Sequence, residues 1–138
     1  MENWRPTMGE YHGTIYWSEL MTRDFEGAKR YYADICGWTF GSMEGMEGMD
    51  DTYMIAFGED PSMPLCGIGD MDKMQLDKNV PPHWFTYIAV DDVDAVVEKT
   101  RSAGGNVIRE PFEVSNVGRI AIVTDPTGAA IGYVKPGN

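Results

Sequence analysis

The sequence predicts an α+β fold in which a strand, helix, strand, strand, strand module occurs twice in tandem. Two helix-like stretches, "RDFEGAKRYYADICGW" and "DDVDAVVEKTRSAGGN", have the same start and stop signals. Their capping aspartates, Asp24 and Asp92, are 68 residues apart, and so are the terminal glycines Gly37 and Gly105. Extended apolar segments precede and follow both stretches in the same order. One module used twice explains these matches.

Each module is predicted to begin with a strand. The segment "IYWSELMT" aligns with "HWFTYIAV" at the same 68-residue offset. Both segments have the aromatic and β-branched content of a buried strand.

Each predicted helix has a capping aspartate, an apolar face and a glycine stop. A side-chain oxygen at the cap can accept the unpaired N–H groups of the first turn, and apolar residues then recur at helical spacing. Glycine is the usual residue just past a helix end. The predicted faces are Phe25, Ala28, Tyr32 and Ile35 in the first helix, and Val93, Val96, Val97 and Thr100 in the second.

Three further extended segments follow each helix. In the second module, "DPTG" has Pro and Gly where a tight turn favours them, so "RIAIV" and "AIGYV" are predicted to form a hairpin. In the first module, "EDPSMP" occupies the matching turn. We expect one domain over residues 1–138, with module 1 at about 12–69, a linker at about 70–81 and module 2 at about 82–136.

Composition excludes several classes of partner. Eleven Lys and Arg against 22 Asp and Glu give a formal charge of -11, which argues against nucleic acid and anionic membranes. No apolar run is long enough to cross a bilayer, and the start of the chain has no signal-peptide core, so we expect a cytoplasmic protein. Cys36 and Cys66 stand singly and are predicted to be reduced, buried thiols.

The sequence resembles the vicinal oxygen chelate superfamily, which includes glyoxalase I, ring-cleaving dioxygenases and bleomycin-resistance proteins. The resemblance rests on "ELMTRDFEGAKRYYADICGW", "YIAVDDVDAVVEKTRSAGGNV" and "GRIAIVTDPTGAAIGYV". It implies paired βαβββ modules whose curved sheets form a cup around a small-molecule or metal site. It also implies a homodimer.

The metal ligands of this superfamily have no counterparts in the chain. Metal-using members place His, Glu or Gln on the first and last strands of each module. The first-strand positions, seven residues before the capping aspartates, are Trp17 and Phe85, and the last-strand positions are Gly67 and Gly132. None of these side chains can bind a divalent cation. We therefore expect no metal, no cofactor, and no glyoxalase I or extradiol dioxygenase chemistry of the usual kind.

Strand alternation predicts what lines the cup instead. Side chains of the first strands alternate between faces, so Met21 joins Trp17, and Tyr87 joins Phe85, beside the two glycines. This apolar wall suits a flat or greasy ligand. The alternative is that Trp17 and Phe85 simply fill the former metal cavity.

Glu19 and His83 are the candidate catalytic residues, as a carboxylate base and an imidazole acid on cup-facing positions. The alternative interpretation is that Glu19 forms a structural ion pair with Arg119 or Arg23 and that His83 is exposed. Arg119 could also bind an anionic ligand group, or serve Asp125 or Glu113.

The segment over residues 41–51 is rich in Met and Gly and is predicted to be a flexible lid. Its methionines would offer an adaptable apolar surface to a ligand.

Two classes of function follow from these observations. The first is a metal-independent protein that binds an aromatic or amphipathic small molecule in its cup. The alternative is a lyase, isomerase or hydroxylase-type enzyme that uses Glu19 or a non-standard metal site. A purely structural dimer is a third interpretation, because fold does not determine function.

Overall fold

The computed structural model of the chain describes residues 11–42 and 51–137. Within these residues, two helices and eight strands follow one another in the predicted order, which confirms the α+β class and the repeated βαβββ module. The elements are β1 (Ile15–Thr22), α1 (Phe25–Cys36), β2 (Thr39–Gly41), β3 (Tyr53–Phe57), β4 (Pro64–Asp70), β5 (His83–Ala89), α2 (Val93–Ser102), β6 (Asn106–Val114), β7 (Gly118–Thr124) and β8 (Ala130–Pro136).

The chain divides into two compact units, and one of them comprises residues 18–85. Its strands are ordered β2-β3-β4-β1. Strand β1 pairs with β4 in parallel, and Glu19 lies opposite Gly67 in that register. Strand β3 pairs with β4 in antiparallel fashion, with Ile55 opposite Gly67.

The other unit comprises residues 86–137 together with the described residues before Ser18. Its strands are ordered β5-β8-β7-β6. Strand β5 pairs in parallel with β8, and Tyr87 lies opposite Gly132. Each first strand therefore pairs in parallel with the last strand of its own module.

Helix α1 has the predicted cap and stop but not the predicted buried face. The Asp24 carboxylate accepts a hydrogen bond from the Gly27 amide at 2.9 Å, and Gly37 ends the helix with a φ of +72°. Of the predicted apolar face, only Phe25 is buried, and Ile35 is 62% exposed.

Two sequence predictions about the last turn of α1 are therefore wrong. Ile35 and Cys36 are both exposed. The turn packs through Tyr32, whose ring stacks on Trp38 at 5.2 Å between centroids and meets Trp84 edge-on at 5.7 Å. Ile35 and Cys36 follow Tyr32 by three and four residues and so lie near it on the helix, but it is the Tyr32 ring that contacts Trp38 and Trp84.

Helix α2 is more fully buried against its sheet. Asp92 caps it by accepting a hydrogen bond from the Ala95 amide at 3.0 Å, and a positive φ at Gly104 follows its last turn. Val93 and Val97 are each 1% exposed, as the helical spacing predicts. They belong to a core cluster with Val90, Ala121 and Val123.

The two matching turns are built in the same way. The Asp125 carboxylate accepts hydrogen bonds from the Thr127 amide at 2.8 Å and from the Thr127 hydroxyl at 2.6 Å. Asp60 accepts the same pair of bonds from Ser62, at 2.9 and 2.6 Å. The repeat therefore extends to the hydrogen bonds within the turns.

Arg23 holds the segment between the modules. Its guanidinium donates hydrogen bonds to the Asp72 carboxylate at 2.6 Å and to the carbonyls of Asp77 and Val80 at 2.6 and 2.9 Å. Neither described helix is long and apolar enough to cross a membrane.

Candidate functional site

Glu19 and Tyr53 form a hydrogen-bonded pair in the unit of residues 18–85. The Tyr53 hydroxyl donates to Glu19 Oε1 at 2.8 Å, and both side chains are half-buried. Glu19 comes from the middle of β1 and Tyr53 from the start of β3. Strand β4 lies between these two strands, so the hydrogen bond crosses β4 on one face of the sheet.

Gly67 lies beneath this pair. A Cβ atom built at Gly67 would be 1.7 Å from the Tyr53 hydroxyl oxygen and 2.3 Å from the ring carbon that bears it. No side chain fits at position 67 while the Tyr53 ring is in place. The phenol thus occupies the space of the side chain that would be the last-strand metal ligand of the first module.

Tyr53 was not among the residues predicted from the sequence. It is 34 residues from Glu19 in the chain. Strand alternation places Tyr53 on the same face as Ile55, which lies opposite Gly67. The missing information was the register of β3 on β4, because the pattern of apolar residues specifies the face but not the partner.

Met21 and Phe85 are both buried in the same unit, and their assignment to a ligand-binding wall stays a prediction. Met21 is 7% exposed, and its sulfur would be 3.2 Å from a Cβ built at Gly69. Phe85 is 9% exposed and meets the His83 ring edge-on, with 6.3 Å between ring centroids. His83 Nδ1 lies 2.8 Å from the Pro81 carbonyl oxygen. An acid role for His83 stays a prediction.

The other unit contains a partly corresponding arrangement. Tyr87 lies opposite Gly132, as Glu19 lies opposite Gly67. Tyr87 is half-buried and Gly132 is buried, while Trp17 is half-buried on β1. The equivalents of Glu19 and Gly67 are therefore a phenol and a glycine, and the two modules present different chemistry at matching positions.

Arg23 and Arg119, the two arginines that the sequence suggested as partners of Glu19, form hydrogen bonds with other carboxylates. Arg119 donates two hydrogen bonds to Asp94, at 2.8 and 2.9 Å, and one to Glu113 at 2.9 Å. Arg119 was expected to bind Glu113 or Asp125. It binds Glu113, and its other partner is Asp94 rather than Asp125. Asp94 lies in the first turn of α2, so Arg119 joins that helix to β7.

The pKa values of Arg119 and Asp94 shift in the directions that an ion pair requires. Its hydrogen bonds lower the pKa of the Asp94 carboxyl and raise the pKa of the Arg119 guanidinium above its usual range. Arg119, Asp94 and Glu113 are all open to solvent, so their two ion pairs are surface contacts that stabilise the fold only slightly.

The residues at the metal positions of the superfamily do not fit a metal. Trp17 and Phe85 carry no ligand atom for a hard or borderline cation, and Gly67 and Gly132 carry no side chain. Space at Gly67 is taken up by the Tyr53 hydroxyl. Within the described part of the chain, no three His, Cys, Asp or Glu residues are placed to hold a metal ion.

A separate groove of about 490 Å³ lies at the start of α1. Charged side chains line it, and they pair with carboxylates near them: Lys29 with Glu26 at 2.9 Å, and Lys73 with Asp51 at 3.2 Å. Both lysines of the groove therefore have a carboxylate partner. The predicted lid falls mostly on residues 43–50, which lie outside the described residues.

Comparison with known proteins agrees with this architecture. Residues 14–133 match the family described as Glyoxalase/Bleomycin resistance protein/Dioxygenase superfamily. A putative glyoxylase of Mycobacterium tuberculosis, CFP32, is 39% identical over 130 residues, which cover 92% of this chain and 48% of that protein. The anthracycline biosynthesis protein DnrV of Streptomyces peucetius is 27% identical over 138 residues, covering 91% of this chain and 48% of that protein.

A solved structure supports the fold. The methylmalonyl-CoA epimerase of Mycobacterium tuberculosis superposes with a TM-score of 0.58 at 20% identity, covering 91% of this chain and 89% of that chain. The chain spans about half the length of the two curated relatives. Because the family match extends over both βαβββ modules, this chain belongs to the Glyoxalase/Bleomycin resistance protein/Dioxygenase superfamily.

Proposed function

We propose that this protein is a metal-independent binding protein for an aromatic or amphipathic small molecule. The observation that carries the proposal is that the Tyr53 phenol, which donates a hydrogen bond to Glu19, occupies the space at Gly67 where metal-using members have a ligand side chain. A sheet face that combines the Glu19 and Tyr53 pair with the apolar side chain of Met21 has the composition of a small-molecule site, since such sites are mostly apolar with a few placed polar groups.

The relatives are compatible with a flat aromatic ligand. One of them, DnrV, is named for anthracycline biosynthesis. A flat aromatic ligand could contact the apolar side chains and reach a hydrogen-bonding group at one end.

The proposal is tested by screening planar aromatic compounds for thermal stabilisation, with and without EDTA. We expect compounds that raise the melting temperature equally in both conditions, because a ligand that binds only the folded state stabilises it. Elemental analysis of protein purified without chelators or an affinity tag should find no stoichiometric transition metal. A near-stoichiometric metal, or stabilisation that EDTA abolishes, would contradict the proposal.

A second candidate is an enzyme that uses general acid and base catalysis without a bound metal. The hydrogen bond between Tyr53 and Glu19 favours it, because a carboxylate paired with a phenol can exchange a proton with a bound carbon acid. Any compound found by the screen should be incubated in D2O and examined by NMR. Deuterium uptake that Glu19→Gln abolishes, with binding retained, would support the enzyme; binding without uptake would support the binding protein.

Two further expectations accompany the proposal. We propose a homodimer, since symmetric dimers are the commonest small oligomers, and a location in the cytoplasm. Analytical ultracentrifugation at micromolar concentration tests the first, and a monomer there would contradict it.

A further inference from the structure

A short turn before β1 is fastened to the end of β5. In this turn the Thr14 amide and the Thr14 hydroxyl both donate to the Tyr11 carbonyl, at 2.9 and 2.6 Å. Two backbone hydrogen bonds join the turn to Ala89: the Gly13 amide donates to the Ala89 carbonyl at 2.7 Å, and the Ala89 amide donates to the Thr14 carbonyl at 2.9 Å. Residues 11–14 are therefore held against the strand end that leads into α2.

His12 adds a contact of a different chemical kind. The Asp91 amide donates a hydrogen bond to His12 Nδ1 at 3.0 Å. A ring nitrogen that accepts a hydrogen bond carries no proton, so His12 is the neutral tautomer with its proton on Nε2. Asp91 immediately precedes Asp92, the cap of α2. The imidazole is thus bound at the point where β5 passes into the helix.

We propose that His12 is a pH-sensitive clasp, in which protonation of the ring at Nδ1 releases the Asp91 amide. The imidazolium carries a hydrogen on both ring nitrogens and accepts no hydrogen bond. Its Nδ1–H would face the N–H of Asp91, and two donors cannot bond to each other. Protonation therefore frees the turn from the start of α2, while the two backbone bonds to Ala89 remain.

The Asp91 side chain offers the protonated ring another partner. Its Oδ2 atom lies 3.8 Å from His12 Nδ1, which is beyond hydrogen-bond distance for the neutral ring. A charged ring gains a stronger hydrogen bond by moving onto this carboxylate. The two side chains are 51% and 54% exposed, so the ring can turn without repacking a core. Protonation exchanges a bond to the backbone of Asp91 for one to its side chain.

The surrounding groups leave this role to Asp91. Titratable and charged groups on the segments that meet at this junction include Tyr11 in the turn, Tyr16 on β1, Tyr87 on β5, Asp91, Asp92 and Asp94 at the start of α2, and Tyr133 and Lys135 on β8. Tyrosine side chains ordinarily titrate near pH 10. Asp92 is used as the helix cap, and Asp94 is paired with Arg119. Asp91 is the carboxylate within 4 Å of the ring nitrogen.

NMR of the 15N-labelled protein from pH 8 to pH 5, where histidine side chains generally change charge, tests the clasp. The ring nitrogen shifts of His12 should identify the Nε2–H tautomer at pH 8. As the ring titrates, the Asp91 amide should become about two- to tenfold less protected from hydrogen exchange, which is the effect of losing one neutral hydrogen bond. The Ala95 amide, which bonds to Asp92, is the internal reference. No ligand is needed, because the clasp lies in a different unit from the Glu19 and Tyr53 pair.

Substitutions of His12 separate the ring's proton from its hydrogen bond. His12→Asn keeps a side-chain acceptor that does not titrate, so the Asp91 amide should stay protected at both pH 8 and pH 5. His12→Ala should lose that protection at both values. Circular dichroism and melting temperature establish that each variant is folded.

Two further variants show which group titrates. Asp91→Asn keeps the imidazole, so its amide should still lose protection on acidification. His83→Asn removes the other of the two histidines and is the matched control, whose Asp91 profile should equal that of the wild type.

An Nδ1–H tautomer at pH 8 would overturn the clasp, and so would Asp91 protection that stays constant from pH 8 to pH 5. Loss of protection on acidification that persists in His12→Asn, or that disappears in Asp91→Asn or His83→Asn, would assign the pH dependence to another group. Each of these results concerns the turn before β1 and leaves the proposed function to its own tests.

Discussion

At the scale of single residues, Tyr53 and Gly67 share one small volume. We predict that Gly67→Ala lowers the free energy of unfolding by about 1–3 kcal/mol, because overpacking a closed site forces the side chain or backbone to move. A Cβ there would meet the Tyr53 hydroxyl at 1.7 Å. Urea denaturation measures the loss.

Gly41→Ala is the matched control, since a Cβ there would be 3.5 Å from the Phe57 ring, an ordinary contact. Both glycines lie in strands without a positive φ. Equal losses in the two variants would show that the cost comes from the backbone rather than from Tyr53.

The two thiols should differ in reactivity. Burial raises the pKa of the Cys66 thiol to about 11, whereas Cys36 is exposed at the end of α1. The thiolate is the reactive form, so at pH 8 a disulfide reagent should modify Cys36 rapidly and Cys66 only after unfolding. Rapid labelling of the folded Cys36→Ser variant would contradict this assignment.

Single residues also show where inference from sequence stops. The period of β1 was sufficient to place Glu19 and Met21 on one face, and the aspartate caps were sufficient to locate the helices. The bond from Tyr53 to Glu19 depends on how β3 and β1 lie on either side of β4, and this register is a tertiary property. Burial of Ile35 was wrongly predicted because helical spacing defines a face without showing what covers it, and burial of Cys36 because the prediction used only the usual burial of free cysteines.

At the scale of elements, the hairpin turn between β7 and β8 depends on an ionised side chain. Hydrogen bonds from the Thr127 hydroxyl and from backbone amides hold the pKa of the Asp125 carboxyl below its ordinary value. A carboxyl whose pKa is lowered by folding stabilises the fold above its unfolded pKa, and that stability is lost as the pH falls through the folded pKa.

We therefore predict that Asp125→Ala lowers the urea midpoint at pH 7, and that wild type and variant converge as the pH falls below about 4. Asp125→Asn keeps an acceptor oxygen and removes the charge, so its difference from wild type isolates the charge. A deficit of Asp125→Ala that is constant from pH 7 to pH 2 would rule out this ionisation as the cause.

Turn chemistry was predictable because it is local. The four residues of "DPTG" contain the Asp, Pro and Gly that such a turn uses, and Thr127 lies two residues after Asp125. The less regular "EDPSMP" segment forms the same hydrogen bonds through Asp60 and Ser62. Partners that are close in the chain can be identified from the sequence, whereas the Arg119 to Asp94 ion pair, 25 residues apart, could not.

At the scale of the whole molecule, the two modules share their topology but bury their helices to different extents. Val93 and Val97 of α2 are each 1% exposed, whereas Phe25 is the one residue of α1 that is buried. We predict that backbone amides of α2 exchange with deuterium more slowly than those of α1, because few buried apolar contacts allow local opening.

Native-state hydrogen exchange by NMR measures this difference, with each amide corrected for its intrinsic rate. Amides of β4 and β7, which are central strands in their respective units, serve as internal references. Equal protection of the two helices would mean that the exposed face of α1 is covered in solution.

The contact between Tyr53 and Gly67 also restricts the order in which the two positions could change during evolution. A side chain larger than alanine at position 67 requires the Tyr53 ring to move away or to be replaced, and either change removes the phenol from its bond to Glu19. A path of single substitutions to a ligand-bearing last strand thus passes through an intermediate without that bond. A saturation library at position 67 should be depleted of large residues in the native background and admit several of them beside Tyr53→Ala, so that epistasis between two neighbours preserves the present chemistry.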